Sequence, residues 1–164
     1  MSGDLSIRPA RPDESEMVAG LVAELATQQG DATEHISAAT FRRDAAAPRP
    51  EFEVLIAESG GAIVGYSLFH DAYEPSYSAR GFYVCDIYVR PQARRQGIGR
   101  ALVAAVAAAA KTRGRIFLWW VAKPWNADAL AFYEAMGAVA TPVVAHALTF
   151  EHFERLAEEA KTDD

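Results

Sequence analysis

The sequence predicts an α/β fold, and three observations carry that prediction. From Phe82 to Gly114 an aromatic and β-branched strand pattern runs through a glycine turn into an alanine-rich helix. Phe52 to Ala57 and Ala62 to Phe69 are two further strand patterns, joined as a hairpin at Ser59-Gly60-Gly61. Met17, Val18, Leu21, Val22 and Leu25 fall at helical spacing ahead of them, so helices and strands alternate along the chain.

Taken in order, Leu5-Ser6-Ile7-Arg8 alternates like a short first strand. Pro12-Asp13-Glu14 opens a helix, with proline in the first turn and acids at the positive end of the dipole, and Gln28-Gln29-Gly30-Asp31 closes it. A second, shorter helix is expected over Ala38 to Ala46, with Pro48-Arg49-Pro50 breaking the chain before the hairpin. His70 to Ala79 is polar and aromatic (Asp71, Tyr73, Glu74, Tyr77) and reads as a loop. Phe82 to Val89 is the central strand, ended by Pro91 because proline has no N–H for a ladder. Ile116 to Val121 is the next strand. Asn126 caps a helix over about Ala127 to Met136 that stops at Gly137. Val143 to Thr149 reads as a last strand and Phe150 to Ala160 as a terminal helix. With neither repeat nor low-complexity linker, residues 1–164 are read as one domain.

Composition narrows the partners. A hydrophobic content of 51% with 23% charged residues is that of an ordinary globular protein, and the net charge of −6 argues against general nucleic-acid binding. No stretch approaches the roughly 20 apolar residues a membrane span needs, and Met1-Ser2-Gly3-Asp4 lacks the basic and apolar regions of a signal peptide. Cys85 is the only cysteine, so a disulfide framework is impossible and a cytoplasmic location is expected. Inside a strand pattern without a positioned histidine, Cys85 reads as a small buried hydrophobe. His35, His70, His146 and His152 have no metal-ligand spacing, so no metal is expected. Trp119, Trp120 and Trp125 have rings that can stack on a ligand; of the first two, which share a strand, at least one belongs in the core.

The strand–turn–helix is where chemistry concentrates. Arg94-Arg95-Gln96-Gly97-Ile98-Gly99-Arg100 puts unpaired helix N-terminal amides, the positive end of the dipole and three arginines around a turn whose glycines let a ligand approach the backbone. That suits a phosphate. A P-loop would need Gly-Lys-Ser/Thr, but Gly99 is followed by Arg100-Ala101. A dinucleotide fold would want a third glycine at Leu102 and an acid near Leu118 to Val121.

What remains, Arg-x-x-Gly-x-Gly at 94–99 after a strand ending Ile87-Tyr88-Val89-Arg90-Pro91, resembles the coenzyme A pyrophosphate loop of the GNAT acetyltransferase superfamily. Asn126-x-x-Ala129-x-x-x-Tyr133-x-x-x-Gly137-Ala138 resembles the segment that flanks the pantetheine arm there, and the element order agrees. The resemblance implies the GNAT acyl-CoA N-acyltransferase fold, a mixed central sheet flanked by helices, with acetyl-CoA as cofactor. Within the superfamily the chain is most similar to the spermidine/spermine and thialysine N-acetyltransferase group. The similarity runs from Ile7-Arg8-Pro9-Ala10 through Ile63-Val64-Gly65-Tyr66 and is densest over Phe117 to Ala138. Where the polyamine enzymes carry a glutamate before the strand aspartate, this chain has Cys85, which puts polyamine specificity in question but leaves the reaction type untouched.

The resemblance assigns residues 94–100 to the pyrophosphate (Arg94, Arg95, Gln96, Gly97, Ile98, Gly99, Arg100) and the backbone of Ile87, Tyr88 and Val89 to the pantetheine. Asn126 is placed beside that arm, where its role as a helix cap is equally compatible, and Phe132 packs near the coenzyme. An amine nucleophile must be neutral, and for a group with a pKa of about 10.4 deprotonation at pH 7 costs roughly 4–5 kcal/mol. Asp86 is the candidate to relay that proton through water or to anchor the amine; the other reading is a structural carboxylate. Glu24 and Glu74 are candidates for holding a cationic substrate, or are solvated surface acids. Tyr133 is the candidate acid for the departing thiolate, since a phenol stays protonated at neutral pH; it also lies on an apolar stripe with Ala129, Phe132 and Met136. The expected activity is direct acetyl transfer, in a ternary complex, to a small-molecule primary amine: a polyamine, a diamine or a lysine-like compound. Acetylation of a protein or peptide amine, and non-catalytic acyl-CoA binding, are the alternatives. Val143-Val144, Leu148 and Phe150 on a terminal strand, with Phe153 and Leu156 after it, imply a homodimer.

Overall fold

Five strands hydrogen-bond in the order β1-β2-β3-β4-β5 in the computed structural model, which describes residues 4–160. They are β1 (Ser6–Pro9), β2 (Glu53–Ser59), β3 (Ala62–Glu74), β4 (Ala79–Val89) and β5 (Leu118–Trp119). The first four pair antiparallel and β5 runs parallel to β4, so the sheet is mixed. The helices are α1 (Ser15–Gln29), α2 (Ala38–Ala45), α3 (Ile98–Thr112), α4 (Ala127–Ala135) and α5 (Phe150–Glu159). Residues up to Lys123 and residues from Pro124 onward form two compact units.

In the first unit each face of the sheet carries its own core. On one, Val18, Leu21 and Leu25 of α1 pack on Val54, Ile56, Tyr66, Leu68 and Tyr88. On the other, Val106 and Ala110 of α3 cover Phe69, Phe82 and Val84, while Ile98 and Leu102 cover Ala57 and Ala93. The helical spacing read from α1 is the spacing of this contact; Met17 alone departs, standing 42% exposed at the rim with its sulfur 4.0 Å from the Arg90 guanidinium. Local signals fix the ends. A 3-10 turn at Pro12–Glu14 leads into α1, and Ser37 accepts the Thr40 amide at 3.3 Å to start α2. The β2–β3 hairpin turns through Gly60 (φ +58°) and Gly61 (φ +77°), which a side chain would strain.

Three expectations are corrected. The stretch 70–79 is not a loop: β3 and β4 stay paired as far as Glu74 and Ala79, and a 3-10 turn at Pro75–Tyr77 closes the ribbon. Its polar and aromatic residues are the open face of an extended hairpin, whose one-sided exposure reads as a loop in sequence. The strand after α3 is ordered into the ladder only at Leu118–Trp119, although Ile116 N and Phe117 O still bond to Arg80 O and Phe82 N. Val143 to Thr149 forms no strand. Strand propensity needs a neighbouring strand to bond to, and among the described residues none pairs with this segment.

In the second unit, α4 starts where expected, the Asn126 carboxamide accepting the Ala129 amide at 3.2 Å. Ala129, Phe132, Tyr133 and Met136 are its half-buried residues, as the stripe predicted, and the Phe132 and Tyr133 rings lie 5.4 Å apart. The described part of this unit, 124–160, contains no buried residue. Among the described residues no helix is long and apolar enough to cross a membrane.

Candidate active site

The β3–β4 ladder slips once, between Leu68 opposite Asp86 and Phe69 opposite Val84. Cys85 is the extra residue of this β-bulge. It is therefore solvent-exposed, which corrects the expectation of a buried hydrophobe. Its thiol is nevertheless pushed up to about 11, by partial desolvation first and by the neighbouring Asp86 second, so it is a poor nucleophile.

Asp86, next in the chain, faces the α1 side of the sheet. The Tyr66 hydroxyl donates to its Oδ2 at 2.8 Å, and Ser67 Oγ donates to its backbone carbonyl at 3.0 Å. Burial raises the Asp86 carboxyl above the ordinary range and the Tyr66 bond partly offsets that. Tyr66, fully buried, is pushed far upward by burial and by Asp86, so it remains a donor. Tyr66 was not singled out by sequence as a site residue; its contact with Asp86 depends on strand register.

Glu24, on α1, is held in a network. Arg90 reaches it at 2.8 Å and the Tyr88 hydroxyl donates to it at 3.2 Å. The Arg90 hydrogen bonds hold its carboxyl below the usual range. Glu24 is thus an ion-paired strut between α1 and the end of β4. Glu74 lies at the far tip of the hairpin, where it accepts the Ser76 hydroxyl and the Ser76 amide, the latter at 3.0 Å, and these bonds, the hydroxyl's first, lower its carboxyl.

The turn after β4 is open. Gly97 sits at the start of α3 with φ +79°, and beyond its chain neighbours and the helix's own backbone nothing lies within 4 Å of where a Cβ would stand. The first intrahelical bond runs from Ala101 N to Gly97 O, so the amides of Ile98, Gly99 and Arg100 have no intrahelical acceptor. Arg95, Gln96 and Arg100 are exposed, and Ile98 anchors the turn in the core. Arg94 is used as a clamp: its Nε donates to Val89 O at 2.8 Å and a terminal nitrogen to Gln28 Oε1 at 2.6 Å, with the guanidinium 5.8 Å from the Tyr88 ring centre. Arg90 and Gln28 are contributors that sequence reading missed, because their partners lie 66 residues away.

Beside this turn, β4 has a free edge. β5 pairs with β4 only at Phe82 and Tyr83, and among the described residues no strand pairs with Val84 to Val89 on that side. The bond from Arg90 N to Val64 O sets the alternation, so the backbone groups of Ile87 and Val89 point away from β3 toward that edge. The first unit thus brings together the bulge, Asp86, the free edge and the 94–100 turn. Asn126, Phe132 and Tyr133 belong to the second unit.

Comparison with known proteins agrees with this geometry. Residues 20–138 match the Acetyltransferase (GNAT) family. Over 141 residues the chain is 32% identical to thialysine N-epsilon-acetyltransferase of Bos taurus, covering 80% of this chain and 82% of that protein. Over 76 residues it is 40% identical to an L-ornithine N5-acetyltransferase of Arabidopsis thaliana, which spans 46% of this chain and only 33% of that protein. An integron cassette protein from V. cholerae shares the fold at a TM-score of 0.78 and 20% identity, over 96% of this chain and 99% of that one.

Proposed function

The chain belongs to the GNAT acetyltransferase family and is an N-acetyltransferase, and we propose that it moves the acetyl group of acetyl-CoA directly to a primary amine of a small molecule. One observation carries this reading: an open helix N-terminal turn at Gly97, a free β4 edge and a bulge-borne carboxylate at Asp86 lie consecutively on one strand–turn–helix. Relatives named for thialysine and ornithine support a small amine.

The residues present fit the coenzyme. The space beside Gly97 and the amides of 98–100 suit a pyrophosphate, with the charges of Arg95 and Arg100 at hand. Ile87 and the Val89 amide offer edge hydrogen bonds to an extended amide-bearing arm, Val89 O being engaged by Arg94, and the family resemblance assigns Asn126 and Phe132 to the same arm. When bound, acetyl-CoA supplies the thioester. Asp86, with its raised proton affinity, takes the amine proton directly or through water, freeing the nitrogen to bond to the acetyl carbon. Tyr133 would give its phenolic proton to the departing sulfur and recover one, through water, from the newly acylated nitrogen, so that the amide and the free thiol leave neutral. Arg94 and Arg90 keep the turn and the end of β4 in place.

We read the whole chain as one domain, supported by a fold likeness that covers 96% of it. The protein is proposed to be a cytoplasmic homodimer. A single cysteine supports the compartment, and a net charge of −6 supports a partner other than nucleic acid. The test is thiol release from acetyl-CoA across a panel of small amines and a lysine-bearing peptide. Turnover with small amines is expected; turnover with the peptide alone would overturn the reading.

A further inference from the structure

The bulge at Cys85 changes which residues share a face. Without it Tyr83 and Asp86, three apart, would point to opposite sides of the sheet. With it, Asp86 lies opposite Leu68 and Tyr83 opposite His70, and Leu68 and His70 are two apart on one strand and so on one face. Phe82, Val84 and Ile87 go to the other face, against α3.

Along the shared face, Asp86 stands at a boundary. On one side lie Tyr66 and Tyr88, buried under α1. On the other, three rings line up across three strands: His70 of β3, Tyr83 of β4 and Trp119 of β5. Each neighbouring pair has its ring centres 5.3 Å apart. This row is open, with His70 exposed and Trp119 53% exposed, whereas Trp120, pointing the other way, packs toward α3. The Phe117 ring lies over Gly81, where any Cβ would collide with it at 2.4 Å, and extends the row on the same face.

Resting on the small-amine reading above, we propose that His70, Tyr83 and Trp119 are the specificity wall for the acceptor, and that the acceptor is a monoamine with a flat aromatic body two or three carbons from its nitrogen. Two observations choose this over a di- or polycation. The first is spacing: the Tyr83 position lies one same-face step, about 7 Å, from that of Asp86, the reach of a short arylalkyl chain. The second is charge. Next to Asp86 the bulge presents the neutral Cys85. Glu24 is committed to Arg90, and Asp71 to Arg115 at 2.7 Å. Glu74, six residues beyond Leu68 on β3, is about 20 Å away along the strand, too far for the second ammonium of a short diamine. Among the described residues of β3, β4 and β5, this face therefore offers ring surface and no carboxylate besides Asp86 and the distant Glu74.

The experiment measures kcat and KM separately for 2-phenylethylamine, lysine and 1,4-diaminobutane, with acetyl-CoA saturating, in the full chain and its Trp119→Ser and Trp119→Phe variants. 2-Phenylethylamine should have the highest kcat/KM. Trp119→Ser should raise its KM about tenfold, with kcat within about twofold, and Trp119→Phe should restore most of the loss. KM for lysine should not move. A wild-type preference for lysine or the diamine, with 2-phenylethylamine indifferent to residue 119, would overturn the proposal and leave the small-amine acetyltransferase reading standing. Failure to turn over any small amine would remove that reading and this one with it. A Trp119→Ser variant that changes the sedimenting mass but not KM would show a second copy covering the row, and would also overturn it.

Discussion

Burial raises the proton affinity of Asp86 and the Tyr66 phenol at 2.8 Å lowers it, with burial the larger effect. A group whose folded pKa is raised binds more protons in the folded than in the unfolded state across that window. Stability contributed there falls as pH rises from the ordinary carboxylate range through the folded value. At neutral pH the charged Asp86 is therefore a cost to folding that serves the chemistry. Asp86→Asn keeps an acceptor for Tyr66 and removes the charge. It should lower kcat by about 10²–10⁴-fold while raising the melting temperature at pH 7 by about 2–4 °C. Calorimetry and initial rates on the same preparation check it; a variant that loses both activity and stability would make Asp86 a structural carboxylate. Tyr133→Phe separates the other proton. It should lower kcat by about 10²–10⁴-fold and leave acetyl-CoA affinity unchanged, because only the hydroxyl is lost. A near-normal kcat where chemistry limits the rate would return Tyr133 to the apolar stripe of α4.

Among the elements, the strand–turn–helix of β4 and α3 tests the coenzyme site directly. Gly97→Glu places a carboxylate in the open space by the helix N-terminus and imposes a side chain on a backbone at φ +79°. Acetyl-CoA binding by calorimetry should fall at least about a hundredfold, roughly 2.7 kcal/mol, with circular dichroism unchanged. An unaltered dissociation constant would exclude the turn. This element was legible in sequence because its signals are local: Pro91 ends the strand, Gly97 permits the turn, and the alanines carry the helix. The bulge was not legible. Phe82 to Val89 is apolar on nearly every residue, so parity cannot be read from it, and a slip at Cys85 leaves no trace in composition. Likewise Glu24 carries no mark of its pairing with Arg90, and Tyr66 none of its bond to Asp86, because both depend on register across the sheet. The failed strand at Val143 to Thr149 errs the other way, where strong local propensity met no partner strand.

At the scale of the whole molecule, the two units differ in how much they bury. The first contains two cores; the described part of the second contains no buried residue and exposes Val139, Val143, Val144, Leu148, Phe150, Phe153 and Leu156, with Val144 at 79% and Phe150 at 72%. A surface of that composition marks an interaction site more often than a solvated face. Covering seven such side chains at about 1.5–3 kcal/mol each gives roughly 10–20 kcal/mol, against an association cost of about 4–15 kcal/mol. A gain of that order can meet the cost of association, and a two-fold pairing closes the surface without leaving a second face exposed. The expected outcome in sedimentation equilibrium at micromolar concentration is a species of twice the 17.8 kDa chain mass. Val144→Asp combined with Phe153→Asp should return it to the single-chain mass, since two carboxylates in an apolar interface remove its driving force and add a desolvation penalty. Circular dichroism should not change, because both residues are exposed in the single chain. A wild-type protein that sediments at 17.8 kDa would leave this segment a solvent-exposed apolar surface of a monomer, and each acceptor site would then be built from one chain alone.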